Sequence, residues 1–407
     1  MKDEDIVNSL VKGKMRWYEV EDRVNGDNSR ATELRRKAVE KIAGVSLGNI
    51  AHHSIDMKRA MKANIENSIG VVQIPMGIVG PLTVNGEHAK GEFLVPLATT
   101  EGALVASVSR GVSVINQSGG ATSTIIEKGT TRGPILTAET ARDAREVAEW
   151  VSANKEWIKK VAEETDPNIR FKDVTTKIIG RNLFFRFVYD TGDAMGMNMV
   201  TVATDKTLAE IEKKFETLKH VSLSGNYCVD KKAAALTLIL GRGFYITSEV
   251  VIPKKLIKSR LKTTADRIVE VAYRKNLLGS AAAGSYGFNA HFANMIGAVF
   301  LATGQDEAHI VEGSHGFTLA EVLPNGDVYF SVTLPSLMVG TIGGGTGVDT
   351  QREALSIMGV AGGAKELGAN SKKFAEIVAA VVLAGEISLA AAVSARHLTQ
   401  SHVRLNR

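Results

Sequence analysis

The sequence predicts a mixed α+β protein of more than one domain, and three observations carry that prediction. At 407 residues the chain is longer than one compact core usually accommodates. Short apolar runs punctuated by Gly and Pro, from Ile69 through Phe93 to Leu97, suit strands and turns better than long helices. Between about Thr137 and His220 the periodicity runs helix, strand, strand, helix, the pattern of a separate α+β unit. The composition agrees: with 44% hydrophobic and 23% charged residues the chain can bury a large core and carries no bias toward disorder.

The opening residues mix both charge signs and hold no uninterrupted apolar core of the kind a secretory signal requires, so export is not expected. Asn28 and Ser29 can cap a helix that places Leu34, Ala38 and Ile42 on one face, and a small helical leader domain follows from it. After the strand-and-turn region comes a charged helical stretch, Ala138 to Glu164, then an aromatic strand, Asn182 to Tyr189. A Gly192-Asp193 turn leads to a second strand-like run, Met197 to Thr204, and to a helix with Leu208, Ile211, Phe215 and Leu218 on one stripe. A strand from Phe244 to Ile252 precedes helical sequence through Lys275, a glycine-rich stretch and a helix from about His291 to Thr303. Asn325-Gly326 signals a hairpin, because Val328, Phe330, Val332 and Leu334 alternate with polar residues beyond it. A second glycine-rich loop, Gly340 to Gly347, is followed by two helices and a polar tail. The long apolar run from Ile377 to Ala395 is interrupted by Glu386 and reads as a buried helix, not a membrane span.

A net charge of +5 is compatible with polyanionic small molecules, but Lys and Arg are interleaved with Asp and Glu, which describes a solvated surface and not a nucleic-acid track. Cys228 is the single cysteine, so no intrachain disulfide and no multi-cysteine metal cluster can form, and a reducing cytoplasm fits. No HExxH pair supports a catalytic metal, and neither GxGxxG nor GxxxxGK[ST] occurs, so a nucleotide has to be held in another way. GDAMGMN (Gly192 to Asn198), GSAAAGSYG (Gly279 to Gly287) and GTIGGGTG (Gly340 to Gly347) are the candidates, since glycine lets backbone N–H groups approach a phosphate or a flat ring. Tight turns and close packing are the alternative for each.

SLSGNYCVDKK (Ser222 to Lys232) sets Asp230, Lys231 and Lys232 in succession within otherwise uncharged sequence, which suggests an anion site. One lysine can stabilise an oxyanion that grows as hydride arrives while its neighbour pairs with a carboxylate; a solvated turn is the alternative. Glu101 lies among small apolar residues in PLATTEGALVAS, where a poorly solvated carboxyl would titrate high and suit a general acid; a glutamate at a helix start is the plainer reading. Asp306 ends an apolar helix and is either a polar terminus or a buried partner for a lysine; His402 sits in a polar tail next to residues that can close over a site, with a plain surface histidine as the alternative.

Taken together, ENSIGVVQIPMGIVGPL (Glu66 to Leu82), PLATTEGALVAS, GDAMGMN, SLSGNYCVDKK, GSAAAGSYGFNAHFAN and GTIGGGTG resemble the hydroxymethylglutaryl-CoA reductases over most of the chain from about residue 60 onward. DAMGMN is similar to the class I form of eukaryotic and archaeal members, and the chain resembles a soluble archaeal type. The resemblance implies reduction of HMG-CoA to mevalonate and coenzyme A with two NADPH, and no metal. It implies a helical domain over 1–65, a large substrate domain over 66–133 and 223–407, and an inserted ferredoxin-like α+β cofactor domain over 134–222. It also implies a cytoplasmic homodimer, or a multiple of one, with active sites between subunits and the ENSIG segment at the interface.

By the same resemblance Lys231 polarises the thioester and then the aldehyde carbonyl, Glu101 protonates the aldehyde oxygen, Asp306 connects the two, and His402 protonates the departing thiolate. Arg132, Ser224, Lys232, Lys275, His291 and Asn294 match substrate contacts, and Arg110 and Lys262 match positions near the coenzyme A phosphates. Asp193, Met195, Gly196, Met197 and Asn198 with Gly343, Gly344 and Gly345 match the nicotinamide nucleotide site, and Asn406 and Arg407 match a pair near the ribose 2′-phosphate. The family's basic segment before the first strand of the insert is represented only loosely by TDPNIRFKD, with Arg170 in its place. Two other readings are a related acyl-CoA reductase that stops at the aldehyde or uses NADH, and a non-catalytic coenzyme A or nucleotide sensor. Product analysis with each nicotinamide separates the first; binding without turnover identifies the second.

Overall fold

The computed structural model describes residues 1–394, and among them three hydrophobic clusters divide the chain. The first joins Ile6, Val7 and Leu10 to Val20, Leu34 and Ala38 of the leader helices. The helix Asn28–Ala43 buries Leu34 and Ala38 but leaves Ile42 exposed, and its cap lies one residue before the expected pair: Asp27 accepts the Arg30 N–H at 3.0 Å.

Eleven strands follow: β1 Met76–Asn85, β2 Lys90–Ala98, β3 Thr122–Arg132, β4 Ile135–Thr137, β5 Arg170–Ile179, β6 Asn182–Asp190, β7 Lys219–Ser222, β8 Gly243–Ile252, β9 Gly287–Phe288, β10 Gly316–Val322 and β11 Val328–Leu337. β1 and β2 form an antiparallel pair, and the others form one nine-stranded sheet in the order β7-β4-β6-β3-β8-β11-β10-β9, with β5 on β6. β3 serves both halves of that sheet, pairing with β8 over Thr122 to Gly129 and with β6 over Thr130 to Arg132.

The second cluster lies on the β4-β5-β6 side, where Leu136, Phe185, Phe187 and Tyr189 pack against Val147, Ile158, Val200 and Ile211 of the surrounding helices. The helix-strand-strand-helix order holds there, but its strands differ from those expected. The second strand is Arg170–Ile179, ahead of the aromatic one, and Met197 to Thr204 is the start of the helix Met197–Lys214. Two local features account for this. A register shift between Phe171 and Asp173 breaks the period-two pattern of β5. In the helix, Val200, Ala203, Thr204, Thr207, Leu208 and Ile211 are buried at helical spacing, so packing outweighs the strand preference of MNMVTVAT.

The third cluster is the largest and centres on the helix Ala369–Ser394, which has the length and apolarity to cross a membrane but has 89% of its apolar eighteen-residue window buried inside the protein. The helix Leu104–Gln117 crosses it at Gly111, where a Cβ would overlap the Ala384 carbonyl oxygen. Backbone cannot yield there as a flexible side chain could, so Gly111→Ala should lower stability by about 2 kcal/mol. An unchanged urea midpoint in that variant would contradict the close crossing.

Candidate active site

The loop after β7 carries the lysines in strained backbone. Asn226, Val229 and Lys231 all take left-handed conformations, with φ of 63°, 56° and 58°. For the β-branched Val229 that is a true outlier, held only where the surroundings over-determine it. From this loop the Lys231 ammonium reaches Asp306 Oδ2 at 2.6 Å. Asp306 caps the short helical turn Glu307–His309 by accepting the Ala308 N–H at 3.1 Å, which orients its carboxylate toward the lysine. Of the two alternatives open for Asp306, the partner for a lysine is the one observed, but the pair is partly exposed and not enclosed in the core.

Burial works against the charge of Asp306, but the Lys231 hydrogen bond, the nearby His309 and the Lys231 charge hold its carboxyl below the usual aspartate range. A depressed value means that this pair stabilises the fold above the unfolded-state pKa and that the contribution is lost as pH falls through the folded one. Asp306→Asn should therefore be less stable than the wild type at neutral pH, and the gap should close in acid. A gap that stays constant with pH in urea titrations would remove the pairing from the account.

A second group lies at the other end of the helix Phe292–Thr303. His291 is its N-cap residue, and Asn294 in its first turn donates to Glu101 Oε1 at 3.2 Å. Glu386 fixes this end from the buried helix by accepting the N–H of Ala290 at 2.9 Å and of His291 at 2.8 Å, and the Thr318 hydroxyl at 2.6 Å. Glu101 is exposed, not buried as its apolar neighbours suggested. Ala103 takes a left-handed φ of 72°, and beyond that turn Leu104 and Val108 enter the core while Glu101 stays outside. The twelve-residue helix is about 18 Å long, and Asp306 lies beyond its far end. Among the described residues no hydrogen bond or ion pair joins Glu101 to Lys231 or Asp306.

The third group brings together two of the three glycine-rich segments. Ala194 bridges Ile342, Thr341 N–H donates to the Asp193 carbonyl at 2.8 Å, and a Cβ on Gly340 would overlap the Met195 backbone nitrogen. Asp193 is buried, with its carboxylate accepting the N–H groups of Ala364 and Ser371, both at 2.8 Å, so it shapes the loop from within. Gly196 takes φ 92° and opens the helix that begins at Met197, with Asn198 exposed in its first turn. Gly343 and Gly344 are exposed with open space where a side chain would stand, and Gly345 packs on Gly304. Such a bare backbone face next to a helix start fits a nicotinamide nucleotide. The remaining glycine-rich candidate, Gly279 to Gly287, differs from the expected loop: helical backbone continues from Ala272 through Ala282. Arg170 donates to the carbonyls of Pro167 and Ile169 and is engaged with its own turn.

Arg132 ends β3, and among the described residues its buried Nε has no hydrogen-bond partner, which suits a side chain that binds an anionic acyl group. Ser224 lies in the lysine loop with its Oγ 3.8 Å from Cys228 Sγ, while Lys232 and Lys275 are exposed. Arg110 donates to the Ser388 hydroxyl at 3.0 Å, and Thr263, next to exposed Lys262, bonds Ser394 at 2.8 Å, so both basic residues flank the last turns of the same buried helix. His402, Asn406 and Arg407 lie outside the described residues.

Arg242, His309 and Glu312, packed beneath the lysine loop, were not singled out from the sequence. Asp306, His309 and Glu312 do recur at three-residue spacing, which places them on one side of a helical turn and was a readable signal.

The sequence profile described as hydroxymethylglutaryl-coenzyme A reductase matches residues 31–407. A 3-hydroxy-3-methylglutaryl-coenzyme A reductase of Pyrococcus abyssi is 56% identical over 100% of both chains, and one of Methanocaldococcus jannaschii is 52% identical over 99% of each. A relative of the same name from Nicotiana sylvestris is 42% identical over 100% of this chain and 67% of its own. Among solved structures, the class II enzyme of Streptococcus pneumoniae bound to NADPH in open conformations shares the fold, with a TM-score of 0.65 at 19% identity, over 93% of this chain and 100% of that one.

Proposed function

The chain belongs to the hydroxymethylglutaryl-coenzyme A reductase family, and from that premise we propose how its residues carry the four-electron reduction of HMG-CoA to mevalonate and coenzyme A. Two NADPH molecules bound in turn would each supply one hydride, the first to the thioester carbonyl carbon and the second to the aldehyde carbon. Lys231 polarises both carbonyls, and the contact with Asp306 at 2.6 Å is the single observation that carries this assignment. As the first tetrahedral oxyanion collapses, the C–S bond breaks and its electron pair leaves with sulfur; His402 protonates that thiolate. A neutral thiol attacks an aldehyde poorly, which makes the step run forward. Glu101 then protonates the oxygen of the reduced aldehyde. Arg132, Ser224, Lys232, Lys275, His291 and Asn294 bind the acyl group, and Arg110 and Lys262 lie toward the coenzyme A phosphates. Asp193, Met195 to Asn198 and Gly343 to Gly345 hold the nicotinamide side, with Asn406 and Arg407 at the 2′-phosphate. We read residues 1–65, 66–133 with 223–407, and 134–222 as the leader, substrate and inserted cofactor domains, a reading supported by the three hydrophobic clusters among the described residues.

The separation of Glu101 from Lys231 by the length of one helix supports a homodimer, in which a second copy brings its glutamate to this chain's lysine. The DAMGMN motif and the archaeal relatives support the class I form and a cytoplasmic protein. Absorbance at the nicotinamide band with HMG-CoA and NADPH, followed by product identification, tests the whole reading. Two NADPH consumed per mevalonate is the expected result; folded protein that forms no mevalonate would sink it.

A further inference from the structure

Beneath the Lys231–Asp306 pair lies a buried charged group. Arg242 is 1% exposed, and its guanidinium donates through Nη1 to Glu312 Oε1 at 2.5 Å, through Nη2 to Asp230 Oδ1 at 2.8 Å and through Nε to Thr131 Oγ1 at 3.1 Å. Nη2 also lies 2.9 Å from Met197 Sδ. Glu312, fully buried, uses the same Oε1 to accept the Lys231 backbone N–H at 3.3 Å and contacts His309 Nδ1 at 2.8 Å. The ligand atoms of Asp230, His309 and Glu312 all lie within 4.8 Å of one another, as around a metal, but the cation they enclose is the Arg242 guanidinium.

This group grips the strained loop at two adjacent points, the Asp230 carboxylate and the Lys231 N–H. Left-handed backbone at Val229 and Lys231 persists only while something holds it there, and relaxation of Lys231 would redirect its side chain away from Asp306. We propose that Arg242 and Glu312 are positioning residues for the reduction: they hold Lys231 in the conformation that meets Asp306. Through Thr131 and Met197 they also tie the lysine loop to the strand that ends in Arg132 and to the nicotinamide-side segment. The inference rests on the assignment of Lys231 as the carbonyl-polarising group.

Arg242→Lys keeps the positive charge but cannot serve three acceptors in one plane. In the full-length enzyme it should lower kcat about 10²-fold per folded molecule through misplacement of Lys231, with the KM values for HMG-CoA and NADPH little changed. Glu312→Gln keeps the oxygen facing the Lys231 N–H while giving up the charge on Arg242, and should lower kcat in the same direction; it carries the test alone if Arg242→Lys does not fold. A purely structural role predicts a lower melting temperature with unchanged turnover per folded molecule, and that result overturns the proposal. Lys231→Ala, assayed in parallel, separates the two claims. If it is inactive while Arg242→Lys is normal, the positioning role fails and the assignment of the lysine stands; if it is active, both fail.

Discussion

Lys231→Ala should abolish both reductions, with a loss of about 10³-fold or more in each, because removal of one oxyanion donor from a preorganised site already costs about that much. The substitution also leaves Asp306 without its cation, so the carboxylate would add negative charge where negative charge has to develop. Each half is measurable: NADPH oxidation with HMG-CoA reports the thioester step, and oxidation with mevaldehyde reports the aldehyde step alone. His402→Ala is the contrasting variant, since protonation of the thiolate matters only while coenzyme A is leaving; it should slow the thioester step and spare the aldehyde step. Normal turnover in Lys231→Ala removes the lysine from the mechanism. Equal losses in both steps for His402→Ala remove thiolate protonation.

Glu101→Gln should be nearly as damaging, since loss of a general acid costs about 10²- to 10⁴-fold. The more informative experiment mixes it with Lys231→Ala. Each variant alone should be inactive, and after subunit exchange the mixture should regain about a quarter of wild-type activity. About half of the dimers are then mixed, and one of the two sites in each has both wild-type groups. That recovery requires the glutamate and the lysine of one site to come from different chains, a division that their placement at opposite ends of the helix Phe292–Thr303 supports. No recovery, with exchange verified by mass spectrometry, would place both groups on one chain.

Much of this arrangement was legible before any coordinates. The Asn325-Gly326 hairpin and the strand Gly243–Ile252 follow from periodicity, because alternate residues enter the core; the helix interrupted by Glu386 follows from its unbroken apolar run, since it is buried on all sides. The pairing of Lys231 with Asp306 was open as one of two alternatives. Three things were out of reach. Burial of Met197 to Thr204 as a helix depends on what packs against it, and β-branched residues there favour the wrong answer. The exposure of Glu101 depends on one left-handed residue, Ala103, a conformation that alanine does not advertise. The partnership of Arg242 with Glu312 joins residues seventy positions apart, and nothing in LGRGFY marks its arginine as buried.

The strand Thr122–Arg132 has a mechanical consequence. A unit tethered by loops can swing, but here three ladder positions, Thr130 to Arg132 against Tyr189 to Phe187, weld the β6 side to the main sheet, and the Lys128 ammonium clamps the joint at the Gly192 carbonyl. Any displacement of the β6 side relative to the main sheet would therefore have to flex a continuous ribbon, with Arg132 at its end. Amide deuteration would show this directly: the protons of Thr130 to Arg132 should exchange slowly, in step with those of the sheet on both sides, and not as a frayed edge.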